Sequence, residues 1–466
     1  MTVAPDWKCL APEKTQVAET FEDRELALSP EDYSLLTDLY QLTMTACYVG
    51  KGLDQKRASF ELFVRQLPEG FGYLIAMGLE QALDYLERFR FSPAQINALR
   101  ATGIFRQAPA QFWSLLAESG FTGDIWAVPE GTAVFANEPL LRVEAPLWQA
   151  QIVETYLLNT LNYQSLIATK AARIRDIAGS EATLLEFGTR RAFSPQGALW
   201  AARAALAAGF DGTSNVLAAL KLGQKPSGTM AHAFVMALTA TSGSEEEAFK
   251  AFHEYFPDAP LLIDTYDTVA AAQMLLEKID AGEMQLSGVR LDSGNLTSLS
   301  QEVRSLLPGV AIFASGDLDE WEIAKLKAAG ACIDGYGLGT KLVTGTPVGG
   351  VYKLVEIDGI PTMKQSSNKV TYPGRKQIFR RWEKGEIHCD RLGLMNESLE
   401  GEQGLLQLFM KQGQRVKPPA SLAEIRDRTR TSVASLPVAT RKLNQPQQIP
   451  VEISSALREL TEKTKR

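Results

Sequence analysis

The strongest constraint on the fold is a series of short apolar runs between about Leu184 and Thr344. Each run is followed by a small or acidic residue and then by a helical pattern. Three runs lead to Asp264, Asp292 and Ser315, which are 28 and 23 residues apart, and this spacing fits one strand, one helix and two turns. Continuous apolar strands that alternate with helices indicate a parallel sheet covered on both faces.

A repeated strand–helix pattern forms either a doubly wound sheet or a β/α barrel, and in both folds the functional groups collect at the carboxyl ends of the strands. The many polar strand ends favour the barrel. The predicted fold class is therefore α/β: an irregular, TIM-like β/α barrel with an N-terminal α+β domain that the C-terminal segment completes. The predicted boundaries are 1–30 for a loose N-terminal arm, 31–146 for the α+β domain, 147–345 for the barrel with the active site, and 346–466 for the C-terminal segment, which folds back on the first domain.

Composition excludes several classes of protein. The chain has 48 Lys and Arg against 55 Asp and Glu, a net charge of −7, which argues against a nucleic-acid coat or a polybasic membrane anchor. No apolar run is long enough for a membrane span, and the first twenty residues lack a signal-type apolar segment. Four scattered cysteines suit a reducing compartment, so we expect a cytoplasmic protein without nucleic-acid or membrane partners.

Two carboxylates follow successive predicted strands of the sheet, Asp264 and Asp292. Side by side they would repel each other unless a cation or hydroxyl groups share them. Mg²⁺ prefers a few carboxylates together with water and substrate phosphates, so a functional pair is one interpretation. The other is that each carboxylate caps the helix after it or binds a neighbouring Ser or Thr.

Small residues follow the last two predicted strands, in Ser315-Gly316-Asp317 and Gly337-Leu338-Gly339-Thr340. Small side chains let backbone N–H groups approach an anion, and a helix N-terminus favours negative charge. In many β/α barrels the last two strand ends hold a phosphate in this way. Plain turns are the alternative interpretation.

Other polar residues leave their roles open on spacing alone. Arg190 and Arg191 follow a strand end and Arg290 lies two residues before Asp292, where guanidinium groups suit phosphate or carboxylate as well as surface ion pairs. A lone His232 is more often a hydrogen-bonded core residue than a catalyst. The cationic stretch 364–381 is either a solvated face or a screen for a polyphosphate.

These residues together resemble the nicotinate phosphoribosyltransferase family. The resemblance covers nearly the whole chain and rests on ordered motifs: Leu36-Thr37-Asp38-Leu39-Tyr40-Gln41-Leu42-Thr43-Met44, Glu186-Phe187-Gly188-Thr189-Arg190-Arg191, Gly228-Thr229-Met230-Ala231-His232, Asp264-Thr265-Tyr266-Asp267, Arg290-Leu291-Asp292-Ser293-Gly294 and Gly337-Leu338-Gly339-Thr340. It implies a type II phosphoribosyltransferase fold and a homodimer with shared active sites. The implied reaction joins nicotinate to phosphoribosyl pyrophosphate with ATP as co-substrate and Mg²⁺ as cofactor, giving nicotinate mononucleotide and pyrophosphate in the first step of NAD synthesis from nicotinic acid.

The resemblance also implies roles for single residues. His232 matches the histidine that ATP phosphorylates, and Asp264 and Asp292 match catalytic carboxylates around the ribose and the phosphohistidine. The residues matched to nicotinate are Tyr40 (from the partner subunit), Phe187, Arg190, Ser214, Thr229 and Arg290. Those matched to phosphoribosyl pyrophosphate are Arg190, Ser315, Gly316, Gly337, Gly339 and Thr340. The resemblance assigns no metal ligands.

Two other functions are alternatives to this expectation. A nicotinamide-using relative is expected to carry Asp at the position of Ser214, where a carboxylate would repel nicotinate and a hydroxyl can donate to it. A non-catalytic phosphate- or nucleotide-binding sensor would be expected to lack His232 or the pair Asp264 and Asp292, and all three are present. Many relatives have Asp where Asn295 stands here, which leaves no basis for a metal role at that position.

Overall fold

The computed structural model describes residues 26, 28–118, 120–365 and 371–465. Most of the predicted N-terminal arm, and Lys369 of the cationic stretch, lie outside these residues. Across the described ranges, no helix combines the length and the apolar character needed to cross a membrane.

Secondary structure follows the chain in three groups. The first contains α1 (Leu39–Gly50), β1 (Arg57–Val64), β2 (Leu74–Ile75), α2 (Leu79–Arg88), α3 (Pro93–Ala101), α4 (Ala110–Ala117), β3 (Asp124–Ala127), β4 (Ala133–Val134) and β5 (Pro139–Pro146). The second contains α5 (Leu147–Ile152), α6 (Glu154–Ala178), β6 (Thr183–Glu186), α7 (Pro195–Ala207), β7 (Gly212–Thr213), α8 (Val216–Lys221), α9 (His232–Ser242), α10 (Glu245–Tyr255), β8 (Leu261–Leu262), α11 (Thr268–Asp280), β9 (Gly288–Leu291), α12 (Leu296–Leu306), β10 (Ala311–Ser315), α13 (Glu320–Ala328), β11 (Gly335–Leu338) and α14 (Thr340–Val343). The third contains β12 (Gly350–Ile357), β13 (Ile360–Pro361), β14 (Lys376–Glu383), β15 (Glu386–Leu394), β16 (Gln403–Gly404), β17 (Gln407–Lys411), β18 (Gln414–Arg415), α15 (Leu422–Ala434), α16 (Val438–Arg441), β19 (Val451–Ile453) and α17 (Ser455–Thr464).

The largest sheet joins the two ends of the chain. Its strand order is β13-β12-β1-β5-β3-β17-β18, so three early strands lie between strands from the last third. Strand β1 pairs antiparallel with both β5 and β12, and α5 packs on it. Because both neighbours and a helix cover β1, seven of its eight residues are buried. A smaller sheet, β16-β14-β15-β19, belongs entirely to the last third of the chain.

The second large sheet is parallel and has the order β7-β6-β11-β10-β9-β8. Its neighbours are successive strands of the chain, except that β6 pairs directly with β11. Strands β7 and β8 are its two edges, and no hydrogen-bonded pair joins them within the described residues. The mixed α/β fold with a parallel sheet is therefore confirmed. The irregular, TIM-like β/α barrel predicted from the sequence is not confirmed, because the described residues form no closed sheet.

The long helix α6 connects the two large sheets. It packs against α7 and α13 on one side and against β2 and β12 on the other. One hydrophobic core surrounds it and extends into both sheets, and a second, smaller core lies between β8, β9 and the helices α9 to α12. The apolar residues buried along α6, such as Leu157 and Ile167, thus fix how the parallel sheet sits on the rest of the molecule.

Helix ends show where local sequence signals suffice. A Ser followed by Pro is typical of a helix start, and Ser92 caps α3 with a complete capping box. Two other sequence patterns mislead. The spacing of apolar residues over 73–89 predicts one helix, but the helix begins only at Leu79, because Leu74 and Ile75 pair with β4. Asp317 is the N-cap that the sequence predicts for the next helical pattern after Ser315, but the cap lies at Asp319, which accepts a hydrogen bond from Glu322 N at 2.9 Å.

Candidate active site

All six parallel strands bring predicted site residues to one rim. The strand register places the ends of β6, β7, β10 and β11 level with one another. The residues at or just beyond the carboxyl ends are Phe187, Ser214, Asp264, Asp292, Ser315, Gly339 and Thr340. Segments that are far apart in the sequence therefore converge on the edge where parallel-sheet proteins bind ligands.

His232 and the two aspartates form the centre of this rim. His232 is the first residue of α9, and its Nε2 lies 4.0 Å from Asp264 Oδ1 and 3.9 Å from Asp292 Oδ2. Its Nδ1 is 3.1 Å from Thr265 Oγ1, a hydrogen bond that fixes the plane of the ring. The imidazole is 37% exposed, so a substrate can reach it. The predicted phosphohistidine thus lies beside both predicted carboxylates.

Hydrogen bonds let the two carboxylates lie close together. Asp264 Oδ2 accepts bonds from Asp292 N at 2.8 Å and from Ser293 Oγ at 2.6 Å, and Asp292 Oδ1 accepts one from Ser315 Oγ. Asp264 Oδ1 is buried and has no hydrogen-bond partner among the described residues. A buried anionic oxygen without a donor is costly, so this atom is suited to contact with a cation or a substrate hydroxyl.

Three contributors to this centre were missed as functional residues. Thr265 and Ser293 each directly follow an aspartate in the motifs, which was the available signal. Glu245, at the start of α10, gave no such signal. Burial, followed by the negative charges of Asp264 and Asp267, raises the pKa of Glu245 to about 7. The rim therefore carries a third carboxyl group besides those of Asp264 and Asp292, and the pKa of this third group is raised.

Glu186 ties together the first two strand ends. Its Oε2 accepts a hydrogen bond from Thr213 Oγ1 at 2.5 Å and its Oε1 accepts one from Gly188 N. Its backbone carbonyl accepts a bond from Ser214 N at 2.9 Å. Burial raises the pKa of Glu186, and the bonds from Thr213 and Gly188 oppose that shift. One buried carboxyl group thus holds the loops that carry Phe187 and Ser214.

The glycines of β11 make room for aromatic rings. Gly337 was predicted to belong to a phosphate loop after the strand, but the strand begins at Gly335 and Gly337 lies within it. A Cβ at Gly337 would collide with the ring of Phe187, and one at Gly335 would collide with Phe313. Gly337 therefore serves first to seat Phe187, the ring predicted to stack on the pyridine.

The cationic residues of the rim differ in exposure. Burial lowers the pKa of Arg290, and the nearby charges of Asp292 and Asp264 offset part of the shift. The Nε of Arg290 is buried without a hydrogen-bond partner in the described residues, whereas Arg190 is exposed. Thr229 is partly buried and its hydroxyl accepts a hydrogen bond from Met230 N. An incompletely paired, half-buried guanidinium group is well suited to an anionic ligand.

The remaining residues predicted to contact phosphate lie on the same rim, and their surroundings differ. Ser315 is buried and donates to Asp292, so its hydroxyl is already engaged. Gly316 has φ +90°, and a Cβ there would collide with Asp292 O. Gly339 precedes the short helix α14, which begins at Thr340. The roles of these residues toward phosphoribosyl pyrophosphate stay predictions.

Tyr40, Lys376 and Arg380 lie on elements other than the strands of this rim. Tyr40 is 46% exposed on α1, and its hydroxyl donates to Glu154 Oε2 at 3.3 Å. Lys376 and Arg380 are buried in ion pairs with Glu61 and Asp390. Because acids already neutralise these two cations, a structural role accounts for them better than the screening of a polyphosphate.

Comparison with known proteins gives consistent matches along the chain. The nicotinate phosphoribosyltransferase N-terminal domain matches residues 35–162, the nicotinate phosphoribosyltransferase family 182–311, and the nicotinate phosphoribosyltransferase C-terminal domain 401–461. A nicotinate phosphoribosyltransferase of Mycobacterium tuberculosis is 42% identical over 421 residues, which cover 88% of this chain and 89% of the relative. The human enzyme is 34% identical over 516 residues, which cover 91% and 95%.

Solved structures agree with these matches. The crystal structure of human nicotinic acid phosphoribosyltransferase superposes with a TM-score of 0.81 at 31% identity, covering 92% of this chain and 99% of the other. That of nicotinate-nucleotide pyrophosphorylase from Pyrococcus furiosus gives 0.72 at 27% identity, covering 89% and 99%. By sequence over most of its length, and with the matching fold, this chain belongs to the nicotinate phosphoribosyltransferase family.

Proposed function

We propose that this protein transfers the phosphoribosyl group of phosphoribosyl pyrophosphate to nicotinate, giving nicotinate mononucleotide and pyrophosphate, and couples the transfer to ATP through His232. Family membership supports the two substrates. The observation that carries the coupling is the position of an accessible imidazole within 4.0 Å of Asp264 and Asp292. A sensor without catalysis would not need this arrangement.

The transfer needs alignment more than acid–base chemistry. The pyridine nitrogen already presents a lone pair, so it forms the bond to C1 of the ribose while the bond from C1 to the pyrophosphate oxygen breaks. Arg290 is suited to the nicotinate carboxylate, Ser214 can donate to the same group, and Phe187 offers a face to the ring. Catalysis then rests on positioning and on electrostatic stabilisation of the leaving group.

Coupling to ATP uses the ring of His232. A ring nitrogen attacks the γ-phosphorus of ATP, ADP departs, and water later hydrolyses the phosphohistidine. The phosphoryl group adds negative charge and acceptor oxygens beside the site of transfer. Thr265 holds Nδ1 at 3.1 Å, so Nε2 is the ring nitrogen that faces the carboxylates.

Mg²⁺ fits this centre as a bound cofactor. The described residues contain no group of three or more His, Cys, Asp or Glu that could hold a metal by themselves. Two carboxylates completed by substrate phosphates and water are the ligands that Mg²⁺ commonly takes, and Asp264 Oδ1 has no hydrogen-bond partner among the described residues. Asp264 and Asp292 would hold the ion, which would neutralise charge on the pyrophosphate.

The finer architecture belongs to the same proposal. We propose that the parallel sheet is the wall of an irregular barrel, since β6 pairs directly with β11 and so brings an early and the last strand of the series side by side. A cavity of about 460 Å³ supports this, because residues of β6 and β10 line it together with residues 226–228, after β7, and 255–260, before β8. We further propose a homodimer with shared active sites, in which the half-exposed Tyr40 serves the partner's site.

Replacement of His232 by Ala tests the proposed coupling. We expect His232→Ala to keep part of the transfer to nicotinate but to lose the ATP consumption that accompanies it. Product would be measured by chromatography and ADP by a coupled assay, with nicotinate, phosphoribosyl pyrophosphate, ATP and Mg²⁺ present. His388→Ala is the matched control, because His388 is 59% exposed and pairs with Glu383.

Two results would contradict the proposal. If the unaltered protein formed no nicotinate mononucleotide, the enzymatic assignment would fail. If His232→Ala consumed ATP at the original rate, the coupling role would pass to another residue.

A further inference from the structure

A second cavity, lined by both charged and apolar residues, lies at the opposite end of the parallel sheet. It has a volume of about 720 Å³ and lies between the end of α6, the connection from α7 to β7, and α15. Gly179 and Ser180 of its lining precede β6, and Gly209 and Asp211 precede β7. The cavity thus lies at the amino ends of two strands whose carboxyl ends carry the candidate active site, and it shares no residue with that site.

Arginines dominate the charge of this cavity. Four line it, Arg175, Arg426, Arg430 and Arg441, against three aspartates, Asp176, Asp211 and Asp427. Its formal charge is therefore +1 in a chain of net charge −7. A locally positive cavity in an acidic protein concentrates anionic ligands.

Three of the four guanidinium groups keep most of their N–H donors unused in the described structure. Arg175 uses four of its five donors, in bonds to Gly209 O, Gly179 O, Ala182 O and Asp211 Oδ2. Arg426 and Arg430 bond only through Nη2, and Arg441 only through Nε and Nη1. A guanidinium group carries five N–H donors in a planar fork that matches phosphate. These three side chains can therefore bind a phosphate group while keeping their bonds to the aspartates.

Apart from Ser180, Thr429 and Val433, the uncharged part of the lining is alanine and glycine. These side chains, no larger than a methyl group, come from α6, from α15 and from the turns that follow α6 and α7: Ala172, Gly179, Ala208, Gly209, Ala423 and Ala434. A floor without long side chains accepts a flat ring. The volume lies within the range of sites for small organic ligands, which bury a ring against apolar groups and use a few polar groups for orientation.

We propose that this cavity binds a nucleoside monophosphate, with the phosphate on the free N–H groups of Arg426 and Arg430 and the base on the floor of alanines and glycines. The site goes beyond the proposed transferase function, because it lies at the other end of the sheet. The site lies between helix α15 and the segment before β7, so an occupant bridges the last third of the chain and the parallel sheet.

Binding of AMP tests this site directly. Calorimetry would measure AMP binding to the full-length protein in saturating nicotinate mononucleotide, which keeps the catalytic rim filled. We expect one AMP per chain, and we expect Arg426→Ala with Arg430→Ala to weaken its affinity by at least about tenfold, since two charge-assisted bonds are lost. Arg88→Ala is the matched control, because Arg88 is a comparably exposed helix arginine paired with Asp84.

Further measurements keep the outcome decisive. If the double variant unfolds at a lower temperature than the unaltered protein, the single variant Arg430→Ala replaces it in the binding measurement, because the Arg430 side chain is 74% exposed. Inorganic phosphate should bind more weakly than AMP, because it lacks the ring. Absence of AMP binding, equal binding by the cavity variants, or phosphate binding as tight as that of AMP would overturn the proposal. Turnover by the cavity variants should match the unaltered protein, so failure of this site is distinguishable from failure of the transferase function.

Discussion

A hydroxyl at position 214 fits an anionic pyridine substrate. Ser214 is partly exposed, and its backbone N–H donates to Glu186 O at 2.9 Å, which places it at the end of β7 next to the loop of Phe187. From this position its side chain can donate to a carboxylate. An Asp at this position would instead repel the carboxylate and favour nicotinamide, which carries a neutral amide on the same ring.

We therefore expect Ser214→Asp to raise the KM for nicotinate by at least about tenfold, since like charges in close contact cost more than about 1.4 kcal/mol. Steady-state assays with nicotinate and with nicotinamide, run side by side, measure the change. Ser214→Ala is the control, because it removes the donor without adding charge and should have a smaller effect. Unchanged kinetics with nicotinate in Ser214→Asp would remove this residue from substrate selection.

At the residue scale, the sequence predicts which side chains lie close together, but it does not predict the hydrogen bonds between them as well. His232, Asp264 and Asp292 are recognisable from their motifs and lie together. The bond from Ser293 to Asp264 depends on the stagger of β8 and β9, which no local pattern encodes.

Strands β6 and β7 are held at the rim by one side chain. The two oxygens of Glu186 accept bonds from the loop after β6 and from Thr213 of β7, and Thr213 Oγ1 in turn accepts a bond from Asn215 N at 3.0 Å. Glu186 is thus a positioning residue that acts through Phe187 and Ser214.

Glu186→Gln keeps the size of the side chain but replaces one acceptor by a donor, so the bond from Thr213 must reverse. We expect the KM for nicotinate to rise by about tenfold, as for the loss of one bond to a charged group, while ADP formation on His232 stays unchanged. Glu181→Gln, at the exposed turn before β6, is the control. A loss of thermal stability with unaltered KM would show a structural role instead.

At the element scale, local signals work where one short-range interaction decides. The capping boxes at Ser92 and Ser421 mark helix starts directly. They fail where distant packing decides: the glycines of β11 are typical of a loop, because glycine weakens a strand, yet the rings of Phe313 and Phe187 occupy the space that side chains would fill.

The whole molecule depends on contacts between distant parts of the chain. Arg380 on β14 is buried against Asp390 and also donates to Ala133 O at 2.8 Å. Glu138, just before β5, lies beside this pair. Burial, and then the charge of Asp390, raises the pKa of Glu138 well above its usual value. Pairings such as β1 with β12 involve residues about 290 positions apart, and hydrophobic pattern alone does not choose such partners.

A raised pKa makes stability depend on pH in a defined direction. Below a pH of about 4.5, the pKa of Glu138 in the unfolded chain, Glu138 is protonated in both the folded and the unfolded state. Its contribution to the free energy of unfolding is then fully present. As pH rises toward the folded pKa, the unfolded chain ionises first, and the free energy of unfolding falls by up to about 1.4 kcal/mol per pH unit.

We expect Glu138→Gln to remove this component, so that stability relative to the unaltered protein grows as pH rises above about 4.5. Chemical denaturation between pH 4 and pH 8 measures the difference, and exposed Glu386→Gln serves as control. A constant difference across that range would contradict the assignment.

Strand β7 has only two residues, Gly212 and Thr213, and they separate Asp211 at the amino end of the strand from Ser214 at its carboxyl end. Because the strand is so short, a displacement of Asp211 is readily passed on to Ser214, and the reverse also holds. If a nucleotide bound beside Asp211 changes the affinity for nicotinate, then thermodynamic reciprocity requires nicotinate to change the affinity for that nucleotide by the same factor. The two ends of the sheet would then report on each other's occupancy.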